Sequence, residues 1–232
     1  MNNKPLASVN IAYKAAKNIA KITVCVSAIA VLASCAAPSG ASMPSAAELL
    51  ATLKSSFSER GPAKMDRLDQ NEVQRICTEA DKTGRAVDEA TRKKIETALY
   101  AGIPYPADAK YIGNWQEGEK IAQDGTGLQF SDAIGKPSGA NCYACHQIAP
   151  NEISFGNLGP SLYKYGVNRG VKDPNAAESE AMVKYTWARL WNTHSVNLCS
   201  SMPRFGDAKI LTNTQLKDVM ALLLDPQSPV NK

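Results

Sequence analysis

Residues 142–146 read Cys-Tyr-Ala-Cys-His, and no other five residues constrain the fold as much. Two thiols three positions apart, followed at once by an imidazole, put three reactive groups on one turn of chain. In this spacing each thiol can add to a haem vinyl group. That gives two thioethers on one side of the porphyrin and sets the adjoining His over the iron. Cys142 and Cys145 are therefore the candidate attachment points of one covalently bound haem c, and His146 its candidate proximal ligand. Zinc would require a second pair of ligands, and a thioredoxin-like dithiol would require a βαβ setting. The only other histidine is His194, and no useful stretch alternates with period two.

The N-terminus reads as a targeting segment. Lys4, Lys14, Lys17 and Lys21 precede a 12-residue apolar run, Ile22 to Ala33, which suits a secretory h-region and is too short to span a bilayer. Leu32-Ala33-Ser34-Cys35 resembles a bacterial lipobox. On that reading residues 1–34 are removed, Cys35 carries the lipid and residues 35–44 are a linker. Ordinary cleavage, for example after Ala41, is the alternative and gives a soluble product. The expected compartment is the periplasm, with a lipid on Cys35 as the membrane anchor in the first case. Removing residues 1–34 takes four of the 26 basic residues and none of the 22 acidic ones, leaving 22 of each. The net charge of +4 thus belongs to targeting and gives no support for a nucleic-acid partner.

Of the six cysteines, Cys25 leaves with the signal, Cys35 is the lipid candidate, and two belong to the haem motif. Cys77 and Cys199 remain. In an oxidising compartment a disulfide between them is the simplest assignment, with two free thiols as the alternative. It would close a loop of over 120 residues, worth roughly 4–5 kcal/mol in the chain-entropy treatment.

The fold class is mostly α: a haem domain over 106–232 with an N-terminal helical extension over 45–105. Ser45-Ala46-Ala47-Glu48 fits a capping box, followed by Leu49, Leu50, Leu53 and Phe57 on one face. Gly61-Pro62 breaks that helix. A second holds Leu68, Val73, Ile76 and Cys77, and a third runs from about Asp88 to Tyr100. Residues 102–106 form an extended connector, and Trp115 to Ala122 a short helix. Asp173-Pro174 suits an N-cap and first position for a helix reaching Trp191. The last helix opens on the capping box Thr212–Gln215, with Leu211 and Leu216 spaced as a hydrophobic staple. It buries Leu216, Val219, Met220 and Leu223, and stops at Asp225-Pro226.

The sixth ligand has several candidates. Met182 and Met220 lie on apolar helix faces, where methionine is usually core. Met202 lies in an inter-helix loop beside Pro203 and three residues after Cys199, so a disulfide would tie the strap that carries it. Met202 is the leading candidate, with His194 and an open site as alternatives. A His/Met pair would give a higher potential than His/His. No nucleophile–base pair, phosphate loop or carboxylate dyad is supported, so no catalytic residue is assigned. Lys164, Arg169, Lys184, Arg189 and Arg204 read as scattered surface bases.

Gly159-Pro160-Ser161-Leu162 resembles the Gly-Pro-x-Leu segment of class I cytochromes c. There the proline carbonyl accepts a hydrogen bond from the free nitrogen of the proximal His. Together, residues 141–147, Gly156 to Tyr163, Cys199 to Gly206 and Leu211 to Pro226 resemble the SoxX family, the monohaem subunit of the SoxAX cytochromes of bacterial thiosulfate oxidation. The resemblance spans roughly residues 100–230, and the helical segment with Cys77 is similar to the extension of longer members. It implies a heterodimer with a SoxA-type subunit that carries the catalytic cysteine. The complex, an L-cysteine S-thiosulfotransferase, joins thiosulfate oxidatively to a cysteine of the carrier SoxYZ. This chain would accept the electrons and pass them to a downstream cytochrome. By motif match Cys142 and Cys145 hold the haem, His146 is proximal, Met202 distal, and Pro160 orients His146. A free-standing periplasmic electron shuttle is the alternative.

Overall fold

The computed structural model describes residues 43–150, 152 and 154–232. Cys25, Cys35, the signal segment and most of the proposed linker lie outside these residues. Among the described residues the chain is mostly helical and has no β-strand, which agrees with the mostly α expectation. One isolated antiparallel bridge joins Arg60 and Ala63. The chain divides into two units, Met1–Thr52 and Leu53–Lys232.

Helix α1 spans Ala46–Ser56. Its start is the expected capping box: Ser45 N donates to Glu48 Oε2 at 2.7 Å and Glu48 N to Ser45 Oγ at 3.3 Å. Leu49, Leu50 and Leu53, expected on one apolar face, are exposed.

In the second unit, Gly61-Pro62 is followed by a 3₁₀ turn, Met65–Leu68, so Leu68 precedes the next helix instead of lying in it. Helix α2, Glu72–Thr83, begins at a capping box made by Asn71 and Gln74, and carries Cys77. Helix α3, Glu89–Ala101, is capped by Asp88, whose side chain accepts from Thr91 N at 2.9 Å. The connector after α3 is held by Trp187, whose indole Nε1 donates to Pro104 O at 3.1 Å. Residues 53–105 thus belong to the same compact unit as 106–232.

Helix α4, Trp115–Gln123, and helix α6, Asn213–Leu224, form the most extensive helix pair. They cross closely because Gly118 has no side chain: a Cβ there would overlap the Asp218 carbonyl. The crossing is pinned where Gly113 N donates to Lys217 O at 2.9 Å and Asn114 N to Asp218 Oδ1 at 2.8 Å. The Thr212–Gln215 capping box forms as expected. Burial of α6 is wider than one face. Leu222 and Leu224 are buried with Leu216, Val219, Met220 and Leu223, since α5 and the Pro229–Asn231 turn also pack on it.

Helix α5 is Glu180–Trp191, shorter than the sequence suggests. Asp173 does not cap it. Its carboxylate closes a local turn on Asn175 N at 2.8 Å, and its carbonyl accepts from Ser179 Oγ at 2.6 Å. A 3₁₀ turn, Ala177–Ser179, intervenes. An Asp side chain satisfied two residues on favours a turn over a helix start. Trp187 is fully buried at the centre of the core, edge-on to Tyr111 with ring centroids 5.7 Å apart and stacked on Trp191 at 6.0 Å.

Candidate functional site

The Cys142–His146 segment is seated on the end of α4. Ala140 N donates to Ile121 O at 2.8 Å and Asn141 N to Asp124 O at 3.0 Å. Gln215, already part of the α6 cap, donates through Nε2 to Ser138 O at 2.8 Å, so α6 holds the same approach. Asn141 takes a left-handed backbone, φ 48°, and Cys142–Ala144 then make a single 3₁₀ turn. His146 N closes it on Cys142 O at 2.9 Å.

Residues 156–162 run back along this turn. Gly156 N donates to Tyr143 O at 2.9 Å, Gly159 N to Cys145 O at 2.8 Å, and Leu162 N to Gln147 O at 2.7 Å. The result brings Pro160 O to 2.6 Å from His146 Nδ1. A carbonyl only accepts, so Nδ1 carries the proton of the neutral ring and the Nε2 lone pair is free. The ring also fills the space where a Cβ on residue 159 would stand, which explains glycine there. Sequence reasoning assigned the proline carbonyl its role but not this steric requirement.

Cys142 and Cys145 are both free thiols and half-buried. Burial pushes the Cys142 thiol up to about 12. Among the described residues no group of three or more His, Cys, Asp or Glu side chains is arranged to hold a metal ion.

Cys77 and Cys199 form a disulfide with Cα atoms 5.4 Å apart, as expected. It joins α2 to the strap between α5 and α6. Beyond it, Met202 N donates to Ser200 Oγ at 3.2 Å. The strap then closes on Trp191 O, which accepts from Gly206 N at 3.1 Å and Asp207 N at 3.0 Å. Phe205 is buried and anchors it. Met202, Cys142 and Leu162 are partly buried against one continuous core. A cavity of about 410 Å³ adjoins Met202, lined among others by Gln74, Cys77, Thr78, His194 and Arg204.

His194, expected when not a ligand as a polar surface residue or as one supporting a ligand, is buried at 8% exposure. Its Nε2 lies 3.3 Å from Ser200 O, so it braces the strap. Burial lowers its pKa, with a smaller opposing contribution from Ser200. The scattered bases are largely engaged. Lys184 pairs with Glu180 at 2.6 Å, Arg204 with Asp207 at 2.6 Å, and Arg169 lies 3.7 Å over the Tyr165 ring. Arg189 differs, because its Nη1 is buried without an acceptor. It lies two residues before Trp191, whose ring packs against Gly206 of the strap.

The residues present fit a haem. Two free thiols, an imidazole whose Nδ1 is held by Pro160 O, and a thioether on the strap are the donor types a haem c takes.

No family model matches the chain. It is 41% identical over 137 residues to an uncharacterized lipoprotein of Aquifex aeolicus (strain VF5). The match covers 58% of this chain and 60% of that protein, so the chain spans about three fifths of its relative's length. Among the described residues no helix is long and apolar enough to cross a membrane.

Proposed function

We propose that the chain is a monohaem c-type cytochrome of the SoxX kind, with a class I cytochrome c-like haem domain, acting as the electron-accepting subunit of a SoxAX complex. The observation that carries the haem reading is the His146 Nδ1–Pro160 O bond of 2.6 Å, which leaves Nε2 free beside two unbridged thiols. Cys142 and Cys145 would hold haem c by thioethers, and His146 and Met202 would be the axial ligands. When bound, the haem supplies reversible one-electron transfer. The thiosulfate chemistry belongs to the partner: a carrier thiol and thiosulfate form an S–S bond, releasing one proton and two electrons. The assignment to this complex rests on the motif resemblance.

The protein's own contribution is orientation. Pro160 fixes the ring of His146, Gly159 gives the ring room, and the strap presents a weak thioether that favours the reduced state relative to a second His. The lipoprotein relative supports an anchored form lipidated at Cys35; the periplasmic location is part of the proposal and rests on the N-terminal targeting pattern.

The test is purification from the native membrane and periplasm. Co-elution with a second cytochrome, and a haem remaining on the chain after acid–acetone extraction, are expected. A chain eluting without a second cytochrome refutes the subunit reading and leaves the free shuttle. Extractable haem, or none, refutes the c-type assignment. Met202→Ala should abolish the near-infrared Fe–S(Met) charge-transfer band, and persistence of that band refutes Met202 as ligand.

A further inference from the structure

We infer that Glu96 is a positioning residue for the distal ligand, and that α2 and α3 clamp the strap from which Met202 reaches the iron. The inference rests on the His146/Met202 reading above. Glu96 lies on α3, 102 residues before Leu198. Its Oε1 accepts from Leu198 N at 2.9 Å, while its Oε2 takes Arg92 Nη1 at 2.8 Å. The Glu96 side chain is only 16% exposed. Leu198 is 1% exposed, so its N–H is shielded from water. A carboxylate with both oxygens engaged, accepting from a buried amide, is a strong and specific anchor.

The anchor has a defined position. Leu198 is the neighbour of Cys199, whose sulfur is bonded to Cys77 on α2. The strap is therefore held at adjacent residues by two helices, covalently from one and by a charge-assisted hydrogen bond from the other. Helix α3 also packs against the 3₁₀ turn Thr193–Ser195, where the strap begins. Within the strap, His194 reaches Ser200 O. Everything up to residue 200 is thus fixed from outside or braced within. Met202 has only Ser200 Oγ for its backbone N–H. Its location is set by the clamp just before it and by the Phe205–Asp207 anchor on Trp191 just after it.

A thioether is a weak ligand, and its residence on iron is governed by how often the strap opens. Loss of the Glu96 acceptor leaves a buried N–H unpaired in the closed state but not in the open one. Opening is thereby favoured by about tenfold to a hundredfold.

The experiment uses the full mature haem protein in its ferric form with cyanide as the probe. Glu96→Ala should raise the rate of Met202 displacement by about tenfold or more and lower the reduction potential. Glu96→Gln keeps an acceptor for Leu198 but loses the Arg92 ion pair, so it should fall between Ala and wild type. It also provides the readout where the Ala variant does not fold. A wild-type spectrum without the Fe–S(Met) band overturns both the axial assignment and this inference. A wild type with the band, and Glu96 variants that bind cyanide at the wild-type rate, overturn this inference alone.

Discussion

Removing the Cys77–Cys199 disulfide tests how much of the fold the extension secures. The two cysteines are 122 residues apart. In the chain-entropy treatment a cross-link removes 2.1 + 1.5R ln n entropy units from the unfolded chain, which for this loop is about 16 cal/mol/K, or about 5 kcal/mol at 25 °C. Domains of this size have total stabilities of about 5–15 kcal/mol, so the loss is a third or more of the whole. At about 2–4 °C per kcal/mol the midpoint of thermal unfolding should fall by about 10–20 °C. The comparison is wild type against Cys77→Ser/Cys199→Ser, both carrying the proposed haem, in guanidinium titrations. Thioethers resist thiol reductants, so wild type in dithiothreitol should match the double variant. A difference under about 1 kcal/mol, where the entropic treatment gives about 5, refutes the reasoning. So does alkylation of Cys77 or Cys199 in denatured, unreduced protein.

Three further outcomes are expected. Gly159→Ala places a Cβ on the His146 ring and should break the Pro160 bond, costing about 1–3 kcal/mol and altering the ferric spectrum; an unchanged spectrum and midpoint count against the close packing seen there. Gly118→Ala forces α4 and α6 apart at the Asp218 carbonyl and should lose about 3 kcal/mol or more, read by denaturant unfolding, whereas a near-neutral effect contradicts the crossing. Burial lowers the His194 pKa in the folded protein, so the unfolded chain binds the proton first as pH falls. Stability should therefore decline as pH drops below about 6.5, and His194→Gln should flatten that decline; an identical slope in both proteins removes His194 as its source.

Much of this arrangement was legible in the sequence because it is local. The capping boxes at Ser45 and Thr212 are four-residue patterns, and both form. The Cys77–Cys199 pair followed from counting, since each other cysteine had a better use. The helix start at Glu180 was missed because Asp173 caps a turn as readily as a helix, and only its hydrogen-bond partner distinguishes the two. The shared face of Leu49, Leu50 and Leu53 was legible but its exposure was not, because periodicity identifies an apolar face without identifying what covers it. The Glu96–Leu198 bond had no signal. It joins a side chain to a backbone N–H a hundred residues away, and a backbone group leaves no mark on residue type.

The disulfide also sets an order of events during biogenesis. Four cysteines lie in the described chain, and they allow three pairings. Cys142 and Cys145, three positions apart, meet far more often in an unfolded chain than partners 122 residues apart. Oxidation acting first would therefore close the wrong ring, and Cys199 would still be waiting for its partner. On the proposed haem reading, the thiols beside His146 survive only when attachment, or a reductant that guards them, outpaces the oxidant. Maturation would then be a race in which the slower bond has to finish last.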